Sequence, residues 1–309
     1  MQQDLFGNII HDDLMKRHTQ SSHQTAPYIP YKGNKAAIAA KLVFIFPKCK
    51  HFLDACCGGG SVGYSMLTYG RAEQITMNDL YKPLIDLHKA IINKEIDFDN
   101  LGWCSRDQFF ISLQKVDNGN YTAKDVIYKY IYSFGNNSRS YLHSKELEPH
   151  KKSIYDVLHY KTVKGRYLAL KKVIRSLQSL QSLESLESLE RLENLERLQS
   201  LERLQSKNLI NFLNKDIYDI DYTPYDCVYF DIPYKGTTEY KIKFNHEKFW
   251  DFFMKLPVLA FASEYKAPEF VPIIKSIDKR VLMQNKVNNA MQRGKEKVFC
   301  NDKDYKPEY

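Results

Sequence analysis

The chain has 309 residues, 43% hydrophobic and 27% charged, enough for a sizeable core and for one large domain or two smaller ones. Its formal net charge of +8 permits a polyanionic partner, and no apolar run approaches the roughly 18–20 residues that span a bilayer, which argues against a membrane protein. The six cysteines, Cys49, Cys56, Cys57, Cys104, Cys227 and Cys300, form no C-x2-C pair; neither a metal site nor a disulfide framework is expected, and the setting is read as a reducing cytoplasm.

In chain order, residues 1–23 come first. MQQDLFGNIIHDD lacks a basic segment followed by an apolar one, so it is not read as a secretory signal but as a flexible tail. YIPYKGNKAAIAAKL follows, with Tyr31, Lys32, Gly33, Asn34 and Lys35 as a polar turn that opens a helix. Across His51 to Leu67, HFLDACCGGGSVGYSML reads as strand, tight loop and helix. Glycines after a strand let the backbone approach a ligand, and the helix start that follows favours polar or anionic groups. Gly58 and Gly59 are thus candidate binding positions. Asp54 at the strand end is a candidate partner for a cationic or hydroxyl-bearing ligand; the alternative is a plain surface loop.

Ile75–Met77 reads as a second strand, ending at Asn78-Asp79, with Pro83 near the start of the next helix. The unit is βαβ, so a parallel, doubly wound α/β sheet is expected. Asp79 stands 25 positions after Asp54. An acid at that place in a dinucleotide-type fold accepts from ribose hydroxyls; the competing reading is a helix N-cap.

From about Asn100 to Ser206 the character changes. VIYKYIYSFGNNSRSYLHSKELEPHKK reads as a mainly helical insertion with a polar loop at Gly135–Arg139. Asn and Arg pair bidentately with base edges, which singles out Asn136, Asn137 and Arg139. A tract at residues 176–206 then repeats Leu at every third position from Leu177 to Leu204. At 100° per residue its apolar stripe circles a helix in about 18 residues, so it is neither a heptad seam nor an amphipathic face. It is read as a length-variable spacer or interaction element.

A strand at Asp226–Phe230 runs into Asp231-Ile232-Pro233-Tyr234. A carboxylate, a rigid turn and an aromatic ring at a strand end point to a site; alone, they also fit a turn. Lys235, Lys241 and Lys243 follow as candidate phosphate contacts. Val258–Tyr265 reads as a further strand, and RVLMQNK with EKVFCN as an antiparallel pair at the sheet edge.

YKGNK, FLDACCGGGSVG, NDLYKPLIDLHKAI, YFDIPYKGT and ASEYKAP occur in that order. The set resembles the S-adenosylmethionine-dependent DNA adenine-N6 methyltransferases of the Dam type, or D12 class. The resemblance implies a Rossmann-like methyltransferase domain from residues 24–99 and 207–309, with residues 100–206 as a target-recognition insertion. It implies S-adenosylmethionine bound by Tyr31, Lys35, Asp54, Gly58, Gly59 and Asp79. It implies catalysis by Asp231, Ile232, Pro233 and Tyr234, and DNA contacts from Asn136, Asn137, Arg139 and Lys235. Double-stranded DNA is the implied partner, with room for a restriction endonuclease in the same system and no role for a membrane or metal. Ile232 replaces the proline usual in the D-P-P-Y motif, but the implied role of that residue is a main-chain carbonyl, which isoleucine also supplies. An RNA adenine-N6 methyltransferase and a catalytically inactive module that binds nucleic acid or cofactor are the alternatives.

Overall fold

The computed structural model describes residues 2–3, 9–10, 29–31, 33–98, 101–134, 137–159, 209–234, 244–281 and 292–307. The Leu-triplet tract, Asn136, Lys235, Lys241 and Lys243 lie outside the described residues. The chain forms two compact units, one of Met1–Tyr28, Gly33–Ile85 and Leu204–Tyr309, the other of Ile29–Lys32 and Asp86–Arg203. The division falls within a helix, Lys82–Ile92, earlier than the change of composition near residue 100. Composition follows the kinds of element present, whereas the division follows contacts.

Strands β1 (Gln2–Gln3) and β2 (Ile9–Ile10) pair antiparallel, so the stretch expected to be a tail carries a short ladder. The seven-stranded sheet of the first unit is built from β3 (Cys49–Asp54), β4 (Ala72–Asn78), β5 (Ile210–Leu213), β6 (Cys227–Phe230), β7 (Leu259–Glu264), β8 (Ile273–Val281) and β9 (Gln292–Cys300). Its order is β5-β4-β3-β6-β7-β9-β8. The first five strands are parallel; β9 runs antiparallel to both β7 and β8. The sheet is therefore mixed and Rossmann-like. The antiparallel pair expected at the sheet edge is present as β8 and β9; β8 begins at Ile273, well before RVLMQNK, and β9 is the strand of the pair that adjoins β7. Apolar pattern alone does not tell which strand of a pair joins the sheet.

Order reverses between β3 and β6, since the chain proceeds from β3 to β4 on one side and from β6 to β7 on the other. Ligands of open α/β sheets bind beyond the carboxyl ends of the strands at such a switch. Asp54 ends β3 and sits in register with Tyr229 of β6; Asp231 follows two residues later.

The apolar run CVYF is buried throughout, as a central parallel strand with both faces covered requires. Helix α1 (Ala39–Ile45) precedes β3, α2 (Ser61–Thr68) follows the glycine loop, and α3 (Lys82–Ile92) follows β4 with Pro83 in its first turn. A late helix near the C-terminus, His246–Phe253, buries Phe249, Trp250 and Phe253 in a cluster with Leu53, Val228, Phe230, Ile232 and Phe299. Each such side chain contributes about 1.5–3 kcal/mol by leaving water.

The second unit is mainly helical: α4 (Arg106–Asp117), α5 (Ala123–Ile131) and α6 (Glu148–His159); the helix His246–Phe253 is α7. Thr122 and Asp125 cap α5 reciprocally, and Asp125 also accepts from Ser112 of α4 at 2.7 Å, tying the two helices together. No helix among the described residues is long and apolar enough to cross a membrane.

Candidate active site

The glycine loop is held from both ends. Ala55 N–H donates to Tyr229 O at 2.8 Å, and Cys57 N–H to Asn78 O at 2.8 Å. Gly58 N–H donates to Asp79 Oδ2 at 2.9 Å, while Asp79 Oδ1 accepts from Tyr81 N–H at 2.8 Å. Asp79 thus braces the loop and also opens the turn ahead of α3, as the helix-start reading of this acid expects. Gly60 takes φ +80°, and a Cβ there would lie 2.5 Å from Met77 Cε and 2.6 Å from Tyr64. No other residue fits without displacing both. Burial pushes the Cys56 and Cys57 thiols well above the usual range, with nearby carboxylates adding to it, so neither is a thiolate nucleophile.

Asp54 is 1% exposed. Its Oδ2 accepts from Gly63 N–H at 2.9 Å, and its Oδ1 is buried with no hydrogen-bond partner. Burial pushes its carboxyl up to about 8; the Asp231 and Asp79 carboxylates add to the rise, and Gly63 N–H and Lys35 oppose it. A buried acceptor with spare capacity, among other acids, suits a ligand that brings a positive charge or hydroxyl donors.

At the end of β6, Asp231 Oδ1 accepts from Lys35 Nζ at 2.5 Å. Lys35 Nζ also lies 3.3 Å from Glu296 Oε1, which accepts from the Tyr234 hydroxyl at 2.5 Å. The same ammonium lies 4.8 Å from the centroid of the Tyr234 ring. Burial by itself would lower the Lys35 pKa, but the Asp231 and Glu296 carboxylates outweigh it and hold the ammonium above its usual value. Burial, reinforced by the same two carboxylates, raises Tyr234, so it remains a phenol that donates to Glu296. Lys35 sits in the turn before α1, and its backbone N–H donates to Ser61 Oγ at 3.1 Å. That bond ties this turn to the first residue of α2.

Ile232 is 1% exposed and belongs to the core cluster. Its side chain anchors the turn in apolar surroundings, which accounts physically for isoleucine at this place. Pro233 O lies 2.9 Å from His246 Nε2, so that nitrogen carries the hydrogen; Glu264 Oε2 is 3.6 Å from the same atom. The Tyr265 ring meets Tyr234 edge-on, with centroids 4.8 Å apart.

Residues 31–266 match the family described as D12 class N6 adenine-specific DNA methyltransferase. The chain belongs to that family. A crystal structure of a putative methylase from Haemophilus influenzae is similar at 11% identity over 88% of this chain and 91% of that one, with a TM-score of 0.31. Membership of this methyltransferase family implies an S-adenosylmethionine-dependent enzyme with a DNA substrate.

Within the first unit, Lys35, Asp54, Gly58, Gly59, Asp79 and Asp231–Tyr234 come together around the carboxyl ends of β3, β4 and β6. Tyr31 belongs to the second unit, where its ring packs against Tyr130 at 5.7 Å. Asn137 Oδ1 accepts from Arg139 N–H at 2.8 Å and Ser140 N–H at 2.9 Å, so its oxygen serves the turn that presents the exposed Arg139. Asn136 and Lys235 are outside the described residues. Sequence reasoning missed Glu296 and His246. Glu296 shares a buried strand face with Val298 and Cys300, and a lone acid at that alternation was the available signal. His246 offered none.

Proposed function

We propose that this protein transfers a methyl group from S-adenosylmethionine to the exocyclic N6 of adenine within a specific DNA sequence, with the target base flipped out of the duplex. The observation that carries the reading is the placement of Asp231, Ile232 and Tyr234 at the switch point of the sheet, beside the glycine loop that follows Asp54. The loop fits the cofactor: the unpartnered buried Asp54 oxygen and the surrounding carboxylates suit a ligand with cationic groups and ribose hydroxyls. Lys35, Asp54, Gly58, Gly59 and Asp79 would hold it. When bound, S-adenosylmethionine supplies an electrophilic methyl group on a positively charged sulfur.

The adenine amine is a poor nucleophile because its lone pair is delocalised into the ring. Asp231 accepts one N–H and the Ile232 carbonyl the other, which turns the lone pair out of the ring plane. A carboxylate has about four acceptor positions, so the Lys35 contact and the amine can coexist on Asp231. Tyr234 offers a ring for the flipped base to stack on, and His246 fixes the turn through Pro233 O. The helical second unit reads the DNA, with Arg139 as its exposed base or phosphate contact and Asn137 shaping that loop; Lys235 is assigned to phosphate.

Expression in cells that lack adenine methylation, followed by genome-wide mapping, should reveal N6-methyladenine in one sequence context. Soluble protein that leaves the genome unmodified would overturn the reading. RNA carrying the modification instead would redirect it to the RNA enzyme.

A further inference from the structure

We infer that Glu296 is a positioning residue for methyl transfer, acting through Lys35 and Tyr234. The inference rests on the function proposed above. Glu296 is completely buried on β9. The strand's place is fixed by its pairing with β7, where Ser263 faces Val298 and Glu264 faces Lys297. Its Oε1 accepts from Tyr234 at 2.5 Å and lies 3.3 Å from Lys35 Nζ, whose other carboxylate partner is Asp231 at 2.5 Å. One carboxylate oxygen therefore stands behind both groups that border the proposed acceptor site.

A charge at this depth is costly, and a well-packed apolar residue would serve a purely structural role as well or better. Two tasks at the reacting centre account for it. Through the hydroxyl, it fixes the plane of the Tyr234 ring, and a stacking platform works only in one orientation. Through its charge, it shares the Lys35 ammonium, so that Asp231 is not wholly committed to an internal ion pair when the adenine amine arrives. None of this requires Glu296 to touch either substrate.

The test measures the single-turnover rate constant for methyl transfer to plasmid DNA, per cofactor site titrated with S-adenosylmethionine. A structural defect lowers the number of competent sites but not the rate constant of those that remain. Glu296→Gln keeps the shape and an acceptor for Tyr234 but removes the charge. Its rate constant should fall at least about 10-fold while cofactor affinity stays within about threefold. Tyr234→Phe breaks the same contact from the other side while leaving the carboxylate in place, and should slow transfer by about 3- to 10-fold. In the double variant the losses should be less than multiplicative, because Glu296→Gln weakens and Tyr234→Phe removes the same contact.

Wild-type rate constants in both single variants would overturn the inference and leave the proposed function standing. If Glu296→Gln does not fold, a wild-type rate constant in Tyr234→Phe still overturns it. A wild-type protein that binds S-adenosylmethionine yet transfers no methyl group would overturn the proposed function, and this role with it.

Discussion

Asp54 should make the first unit lose stability as pH rises. Its carboxyl titrates near 3.8 in an unfolded chain but at about 8 in the fold, chiefly because it is buried. Between those values the folded state holds a proton that the unfolded state releases. The raised value therefore costs nothing below about pH 4, and its penalty grows until the group is ionised in both states above pH 8. The full separation corresponds to on the order of 5 kcal/mol. Asp54→Asn removes the titration and keeps an oxygen for Gly63 N–H. In urea titrations followed by the fluorescence of Trp250, which lies in the same unit, the variant should match wild type within about 1 kcal/mol at pH 4.5. At pH 8.5 it should be the more stable by about 3–5 kcal/mol. Cofactor binding should move the other way: wild type should bind S-adenosylmethionine more tightly as pH rises from 6 to 9, whereas the variant should bind more weakly and without that trend. A stability gap that is the same at both pH values would refute the buried, proton-holding Asp54.

Asp231→Ala should leave S-adenosylmethionine binding within about threefold by calorimetry and slow methyl transfer at least about 100-fold, the scale of one lost preorganised contact; normal turnover would end the proposed mechanism. Tyr234→Ala should lose more activity than Tyr234→Phe, because it deletes a stacking platform worth about 1–3 kcal/mol as well as the hydroxyl, and a fluorescent base analogue at the target should report weaker flipping. Gly60→Ala should destabilise the unit by about 2–4 kcal/mol through its φ of +80° and the Met77 clash, a change that urea titration would detect and whose absence would refute the close approach.

The sequence displayed what depends on neighbours in the chain. CVYF, FLD and VLAFASE read as strands because central parallel strands must be apolar on both faces, and the glycine loop read as a turn because only such residues take its conformation. Glu296 was hidden for the opposite reason. Its meaning comes from Lys35 and Tyr234, and no local pattern links residues 35, 234 and 296. Strand β5, INFL, is short and follows the repeat tract without alternation, so only its parallel pairing with β4 identifies it. The Asp79 carboxylate was legible as a helix-start residue, but not that its second oxygen would hold Gly58 N–H of the glycine loop. The polar loop was legible as a loop, but not that Asn137 would spend its oxygen on folding it.

The neighbours β4 and β5 also set how freely this protein can change length. The chain leaves the sheet after β4 and returns to it on the adjacent strand, with Met77 opposite Phe212. Whatever lies between is bracketed by two strands whose pairing does not count residues. A tract built of three-residue units sits in that interval, and each unit corresponds to nine nucleotides of coding sequence. Copying errors that add or drop a unit preserve the reading frame and leave every strand register of the sheet intact. Such a gene can change the length of the segment between β4 and β5 without altering the sequence of either strand.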